Sequence, residues 1–234
     1  MLLYLLRFLL GPVLLWQGSR VRRDILRMPE PVGSRAGTTG TGTPLSLLLV
    51  GDSSIAGVGA TTQDQALSGR LVERLTQTRR VTWQVIGKTG WTTEDASQAL
   101  SNHTPHPTDI VILSLGVNDV TTETGISTWL KTYSHLIETL RHDWQAKALV
   151  LSGLPLMGAF PALPQPLRWY LGLQAAAHQN ALFEKFQRDL DTICLPLVFD
   201  LDISAMAEDG FHPGPLVYDA WAQKIETVIR ERLP

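Results

Sequence analysis

The stretch "LLLVGDSSIAGVGA", residues 47–60, decides how this chain is read. The run 45–51, "LSLLLVG", is almost continuously apolar, the pattern of a strand buried on both faces as in a parallel sheet. It ends in Gly51-Asp52-Ser53-Ser54. Gly, Asp and Ser are ordinary turn residues, so these four residues by themselves fit either a polar turn or a nucleophile at a strand end. The remaining sequence has to supply a base, an acid to orient it and donors for an oxyanion.

Outward from this stretch, short apolar runs alternate with helical patterns. Leu67, Leu71 and Leu75 recur at i, i+4 and i+8 within "DQALSGRLVERLTQT" (64–78), one face of a helix. "VTWQVIG" (81–87), "DIVILSLG" (109–116), "KALVLSGL" (147–154) and "LPLVFDL" (195–201) read as further strands. Helices are expected at 93–102, with Thr92 or Thr93 as N-cap, and at 127–144, about 166–190 and 215–233. Strands alternating with helices imply βαβ units, hence an α/β protein with a five-stranded, mostly parallel sheet between helical layers. In such sheets ligands bind beyond the carboxyl ends of the strands.

Composition narrows the function. The chain has 234 residues, 44% hydrophobic and 18% charged, enough for one globular domain with a full core. A net charge of −2 gives no basic surface for nucleic acid. The single cysteine, Cys194, has no partner for an internal disulfide and sits in an apolar run as a reduced core residue.

Polar motifs stand at three successive strand ends: Gly51-Asp52-Ser53-Ser54, then Gly87-Lys88-Thr89-Gly90-Trp91-Thr92, then Gly116-Val117-Asn118-Asp119. Each alone reads as a turn. A fourth, Asp209-Gly210-Phe211-His212-Pro213, precedes the last helix. Acyl transfer needs a hydroxyl, an imidazole to take its proton and a carboxylate to fix the imidazole tautomer. Asp209 and His212 meet only if the loop turns tightly, which Gly210 permits.

With all four motifs in order across residues 51–212, the chain resembles the SGNH hydrolases, also called the GDSL esterase/lipase family. The resemblance implies a three-layer αβα sandwich of the flavodoxin-like hydrolase kind, with five parallel strands. It implies Ser53 as nucleophile, His212 as base and Asp209 as its orienting acid. The amides of Ser53 and Gly90, with the Asn118 side chain, are then the oxyanion donors. Gly87 competes with Gly90 for that role, and Gly90 is preferred because Gly87 stands at the strand end itself. Ser54 departs from the family's Leu and reads as a helix-start hydroxyl, while Asp52 and Asp119 read as loop supports. The implied activity is ester hydrolysis through an acyl-enzyme. Thioesterase, lysophospholipase, carbohydrate deacetylase and a non-catalytic binding module are the alternatives. No metal or organic cofactor is expected.

Other motifs carry less. Gly87-Lys88-Thr89 is not a phosphate loop, since position 82 is Thr where that motif needs Gly. The elbow G-x-S-x-G fails at Ile55. His103 and His106 lack a metal-ligand pattern, and His135, His142 and His178 fall in helical stretches. The Pro-rich loop 152–172 should border the site, and Met157, Phe160, Leu163, Leu167, Trp169 and Tyr170, with Trp91, are its candidate pocket residues.

The N-terminus leaves three readings open. Residues 1–16 are apolar except for Arg7, about 24 Å as a helix against a hydrocarbon core of about 30 Å. They read as an apolar helix within 1–28 that anchors on a membrane through 1–23, as a helix docked over an apolar pocket of the same protein, or as a signal peptide. Arg20, Arg22 and Arg23 after the run would keep an anchored domain on the cytoplasmic side, whereas a signal peptide would export it. Residues 29–44, "PEPVGSRAGTTGTGTP", read as a flexible linker, and the hydrolase domain as 45–234. Near an N-terminal helix of this kind, a lipid or other apolar ester is the natural substrate.

Overall fold

Strand β2 (Thr43–Gly51) is the centre of the sheet and the reason for its two cores. Its unbroken apolar run sends Leu48 and Val50 to one face and Leu47 and Leu49 to the other, and all four are buried. The computed structural model describes residues 2–199 and 202–232. In chain order the elements are α1 (Leu2–Asp24), β1 (Ala36–Thr39), β2, α2 (Ser53–Ala56), α3 (Leu67–Leu75), β3 (Arg79–Gly87), α4 (Thr93–Leu100), β4 (Ile110–Ser114), α5 (Val117–Thr121), α6 (Ile126–His142), β5 (Ala148–Ser152), α7 (Leu167–Phe186), β6 (Thr192–Leu195) and α8 (Pro215–Arg232).

The strands lie in the order β1-β3-β2-β4-β5-β6, all parallel except β1, which runs antiparallel to β3. The Leu47/Leu49 face packs with Leu71 and Leu75 of α3 and with Tyr218, Trp221 and Ile225 of α8. The Leu48/Val50 face packs with Leu100 of α4, Trp129 and Tyr133 of α6, and Leu171 and Leu182 of α7. This is the expected three-layer α/β fold. From β2 the chain steps to β3 on one side and later to β4 on the other, so a crevice opens beyond the carboxyl end of β2, where Ser53 lies.

Three expectations need correction. The sheet has six strands, not five, because residues 36–39 inside the expected linker pair with Val81–Gln84 as an edge strand. Val32 also bridges Thr62, so the stretch 29–44 is fastened to the domain at several points. Four residues rich in Thr and Gly are too short to show a period of two, which is why they read as linker. The last strand is Thr192–Leu195 rather than 195–201, because it pairs with Leu149–Ser152 and that partner ends at Ser152. Residues 200–201 of that expected strand, residue 233 of the last expected helix and Met1 lie outside the described residues.

Of the three readings of the N-terminus, the structure shows a docked helix. Leu14 is buried, and the buried Gln17 bonds the backbone at both Gln165 and Leu167. Among the described residues, no helix is long and apolar enough to cross a membrane.

Candidate active site

The nucleophile turn is shaped by close packing. A Cβ on Gly51 would lie 2.3 Å from Ile55 Cγ1 and 2.4 Å from the Ser114 carbonyl, so β2 can enter α2 only without a side chain there. Asp52 caps α2: its Oδ1 accepts the Ser54 amide at 2.9 Å and the Ser54 hydroxyl at 2.8 Å. Ser54 Oγ also lies 3.2 Å from Ser114 Oγ. Ser54 is thereby tied into the turn, while Ser53 Oγ meets His212. Burial pushes the Asp52 carboxyl above the ordinary carboxylate range, although the Ser54 bonds oppose the shift.

The loop before α8 brings the acid to the base. Gly210 sits at φ +62°, and the Asp209 Oδ1 accepts the amides of Phe211 and His212, both at 2.9 Å. Asp209 Oδ2 lies 2.5 Å from His212 Nδ1, and His212 Nε2 lies 3.0 Å from Ser53 Oγ. A carboxylate only accepts, so Nδ1 carries the proton and Nε2 is the acceptor for the serine hydroxyl. Burial alone would raise the Asp209 carboxyl. The His212 ring and the two amides outweigh it and hold the group below the ordinary range, so it stays ionised.

Gly90 and Asn118 line one cavity together with Ser53 and His212. Asn118 Nδ2 donates to the Trp91 carbonyl at 2.9 Å, which spends one N–H on orientation and leaves the second for a ligand. Gly87, the competing donor, is packed away: a Cβ there would meet Ile55, the Ala56 amide and the Gly51 carbonyl at 3.0–3.2 Å. Asp119 supports this corner. It accepts the amide and hydroxyl of Thr93, both at 3.0 Å, and Thr93 Oγ1 accepts Trp129 Nε1 at 2.9 Å. Asp52 thus bonds the amide and hydroxyl of its own turn, and Asp119 those of Thr93 at the start of α4.

Two residues that the sequence did not single out hold the 87–90 loop. Glu30 Oε1 accepts the Thr89 amide at 2.7 Å and the Thr89 hydroxyl at 2.8 Å. Arg35 reaches Glu30 Oε2 at 2.6 Å and the Gly87 carbonyl at 3.0 Å. Partial burial of Glu30 is outweighed by the Thr89 and Arg35 bonds, which keep its carboxyl below the ordinary range. Both residues lie in the expected linker, which has no periodicity to mark them. The only sequence signal was a pair of opposite charges five residues apart in an otherwise uncharged stretch.

Two cavities meet at Ser53 and His212. One, of about 240 Å³, is walled by Pro155, Leu156, Phe160, Leu197, Phe199 and Trp221, among others. The other, of about 1030 Å³, runs past Gly90 and Asn118 to Leu163, Leu167 and Tyr170 and is bounded by α1. No cluster of His, Cys, Asp and Glu suited to a metal ion occurs among the described residues.

The sequence model of the GDSL-like lipase/acylhydrolase family matches residues 49–220, most of the chain, and so takes in every strand-end motif above. The chain belongs to this family. It is therefore a GDSL-family hydrolase, and the family's members hydrolyse esters. No curated protein matches it. Among solved structures it is similar in fold to a carbohydrate esterase family 2 enzyme with a carbohydrate-binding domain from Corynascus thermopiles (Myceliophthora fergusii), at 13% identity and TM-score 0.66, covering 83% of this chain and 68% of that one. It is also similar to a lipolytic G-D-S-L family protein from Veillonella parvula (15%, TM-score 0.64, 80% and 98% covered). A carbohydrate acetylesterase family member from Sinorhizobium meliloti is a third (20%, TM-score 0.60, 81% and 99% covered).

Of the pocket residues expected for this GDSL-family hydrolase, Phe160 lines the smaller cavity, and Leu163, Leu167 and Tyr170 line the larger. Three others do not line either. Met157 is fully buried in the core beneath the loop. Trp169 points outward, 44% exposed, because the helix turns it away from its neighbours Leu167 and Tyr170. Trp91 packs its ring against the core and serves the site through its carbonyl. Cys194 is half-buried in β6, where burial pushes its thiol to about 11, away from thiolate chemistry.

Proposed function

We propose that this protein is a serine esterase working through an acyl-enzyme. The observation that carries the proposal is the continuous relay from Asp209 through both nitrogens of His212 to Ser53 Oγ. Ser53 attacks the ester carbonyl while His212 Nε2 takes its proton, and Asp209 stabilises the imidazolium that forms. The Ser53 and Gly90 amides and the free N–H of Asn118 hold the oxyanion. His212 then gives the proton to the leaving alcohol. In the second half His212 takes a proton from water as the water attacks the acyl carbonyl, then returns it to Ser53 Oγ as the acyl–Oγ bond breaks and the carboxylic acid leaves.

The apolar walls on both sides of Ser53 support a lipid or other apolar ester as substrate, ahead of a thioester, a lysophospholipid or an acetylated carbohydrate. The surface of α1 supports work beside a membrane. Leu9, Val13 and Trp16 are exposed at i, i+4 and i+7, with the exposed Arg20 and Arg23 following. With arginines after the apolar segment, we place the domain in the cytoplasm or on the cytoplasmic side of a membrane.

The test is to quench a p-nitrophenyl ester reaction in acid and map the acylated peptide by mass spectrometry. The acyl mass on the peptide carrying Ser53, preceded by a burst of p-nitrophenol, is the expected result. Turnover with no acylated serine would reject it. Sedimentation with anionic vesicles, lost on replacing Leu9, Val13 and Trp16 by Ser, tests the membrane reading; unchanged partition would reject that part.

A further inference from the structure

The face of α1 beside the one that fastens it forms a wall of the larger cavity. Leu14 and Gln17 hold the helix to the segment around α7: Gln17 Nε2 donates to the Gln165 carbonyl at 2.7 Å, and its Oε1 accepts the Leu167 amide at 3.0 Å. Gly11, Leu15 and Gly18, at i, i+4 and i+7, then border the chamber that also has Ser53, Gly90, Asn118 and His212 in its walls. Its volume of about 1030 Å³ is at the top of the range for small-molecule sites, far more than a short acyl group fills.

The glycines themselves point to occupied space. Gly in a helix interior is unfavourable relative to Ala. A Cβ at Gly11 would meet nothing within 4 Å, and one at Gly18 would meet only the Arg22 guanidinium at 3.8 Å. Close packing within the protein therefore does not require glycine at either position. What their lack of side chains does is keep the chamber open along the helix.

We propose that α1 is a specificity element: its Gly11-Leu15-Gly18 face walls a channel that receives the acyl chain of a long-chain ester. The acyl arm is the one assigned here because its carbonyl oxygen stays with the oxyanion donors through both halves of the reaction, and Gly90 and Asn118 belong to this chamber. The smaller cavity, which shares Ser53, Phe211 and His212 with this chamber, receives the alcohol part. The inference rests on the esterase reading above and adds the substrate's size and the part that binds it.

The experiment uses the full chain with Gly11→Phe and, separately, Gly18→Phe. The readout is the ratio of kcat/KM for p-nitrophenyl decanoate, below its micelle concentration, to that for p-nitrophenyl butyrate. Denying the pocket even one methylene costs about tenfold or more, so each ratio should fall at least about tenfold below wild type. An unchanged ratio in both variants overturns the inference. Labelling of Ser53 by a small ethyl fluorophosphonate separates the two readings and reports a folded site. Labelling with an unchanged ratio rejects only the role of α1, whereas a wild type that resists labelling and cleaves neither ester rejects the esterase itself.

Discussion

Replacing Asn118 by Ala tests the oxyanion assignment with a magnitude set by the geometry. Of the two N–H groups on Nδ2, one is committed to the Trp91 carbonyl at 2.9 Å. Asn118 lines the cavity shared with Ser53 and Gly90, and the second N–H is the one assigned to the oxyanion. The substitution removes one neutral donor to a charge that exists only in the transition state, which costs about 2.7–4 kcal/mol, a hundred- to a thousandfold in kcat. KM should hardly change, because the ground-state carbonyl makes little use of that donor. The lost bond to Trp91 is worth about 0.5–1.5 kcal/mol net. For a chain of this size that lowers Tm by roughly 1–6 °C. The assay is steady-state hydrolysis of a soluble p-nitrophenyl ester alongside a thermal melt. A kcat loss below about tenfold, or a loss confined to KM, would refute the assignment, and a collapsed melt would show that Asn118 holds the fold rather than the oxyanion.

Two further outcomes follow from the supports of the site. Glu30→Ala frees the Thr89 amide and hydroxyl, so the Gly90 loop loses its main tether; kcat should fall by about ten- to a hundredfold with KM little changed, and an unaltered kcat would show that the loop holds itself. Asp52→Asn keeps an oxygen to cap α2 but removes a buried charge. Because the folded-state pKa of Asp52 is raised, the wild type loses stability as pH rises from the unfolded value, about 3.9, through the folded one. The variant should therefore be the more stable above that window and equal to wild type below it in urea unfolding; an advantage that persists in acid, or none at neutral pH, would count against the burial argument.

The parts of this protein that were legible in its sequence are those written in period and spacing. The continuous apolar run of β2 announced a strand buried on both faces, and the three strand-end motifs fell around the crevice beside it. The start of α4 was legible to within one residue: of the two expected caps, Thr92 is the N-cap, and Asp95 completes the box with it. Asp209 and His212 were readable because a short turn with Gly210 at its centre brings them together within the loop itself.

What stayed hidden depends on contacts made between distant segments. Strand β1 exists only because β3 offers an open edge, and Glu30 matters only because Thr89 comes to it. The register of β6 is set by where β5 stops, which its own residues do not record. Helix α1 has an apolar sequence that suits a lipid surface as well as a protein one, and Gln17, the residue that fastens it, has its partners about 150 positions away. Met157 and Trp169 lie in one apolar loop-helix segment with Phe160 and Leu163, and only the fold sorts those that face the cavity from those that do not.

The most direct test of the central claim sets the two adjacent serines against each other. Ser53 Oγ meets His212, whereas Ser54 Oγ is bonded to Asp52 and lies beside Ser114. Measured as hydrolysis of p-nitrophenyl butyrate by folded protein, Ser53→Ala should abolish turnover and Ser54→Ala should retain most of it. Substantial turnover by Ser53→Ala, or its loss in Ser54→Ala alone, would contradict the account.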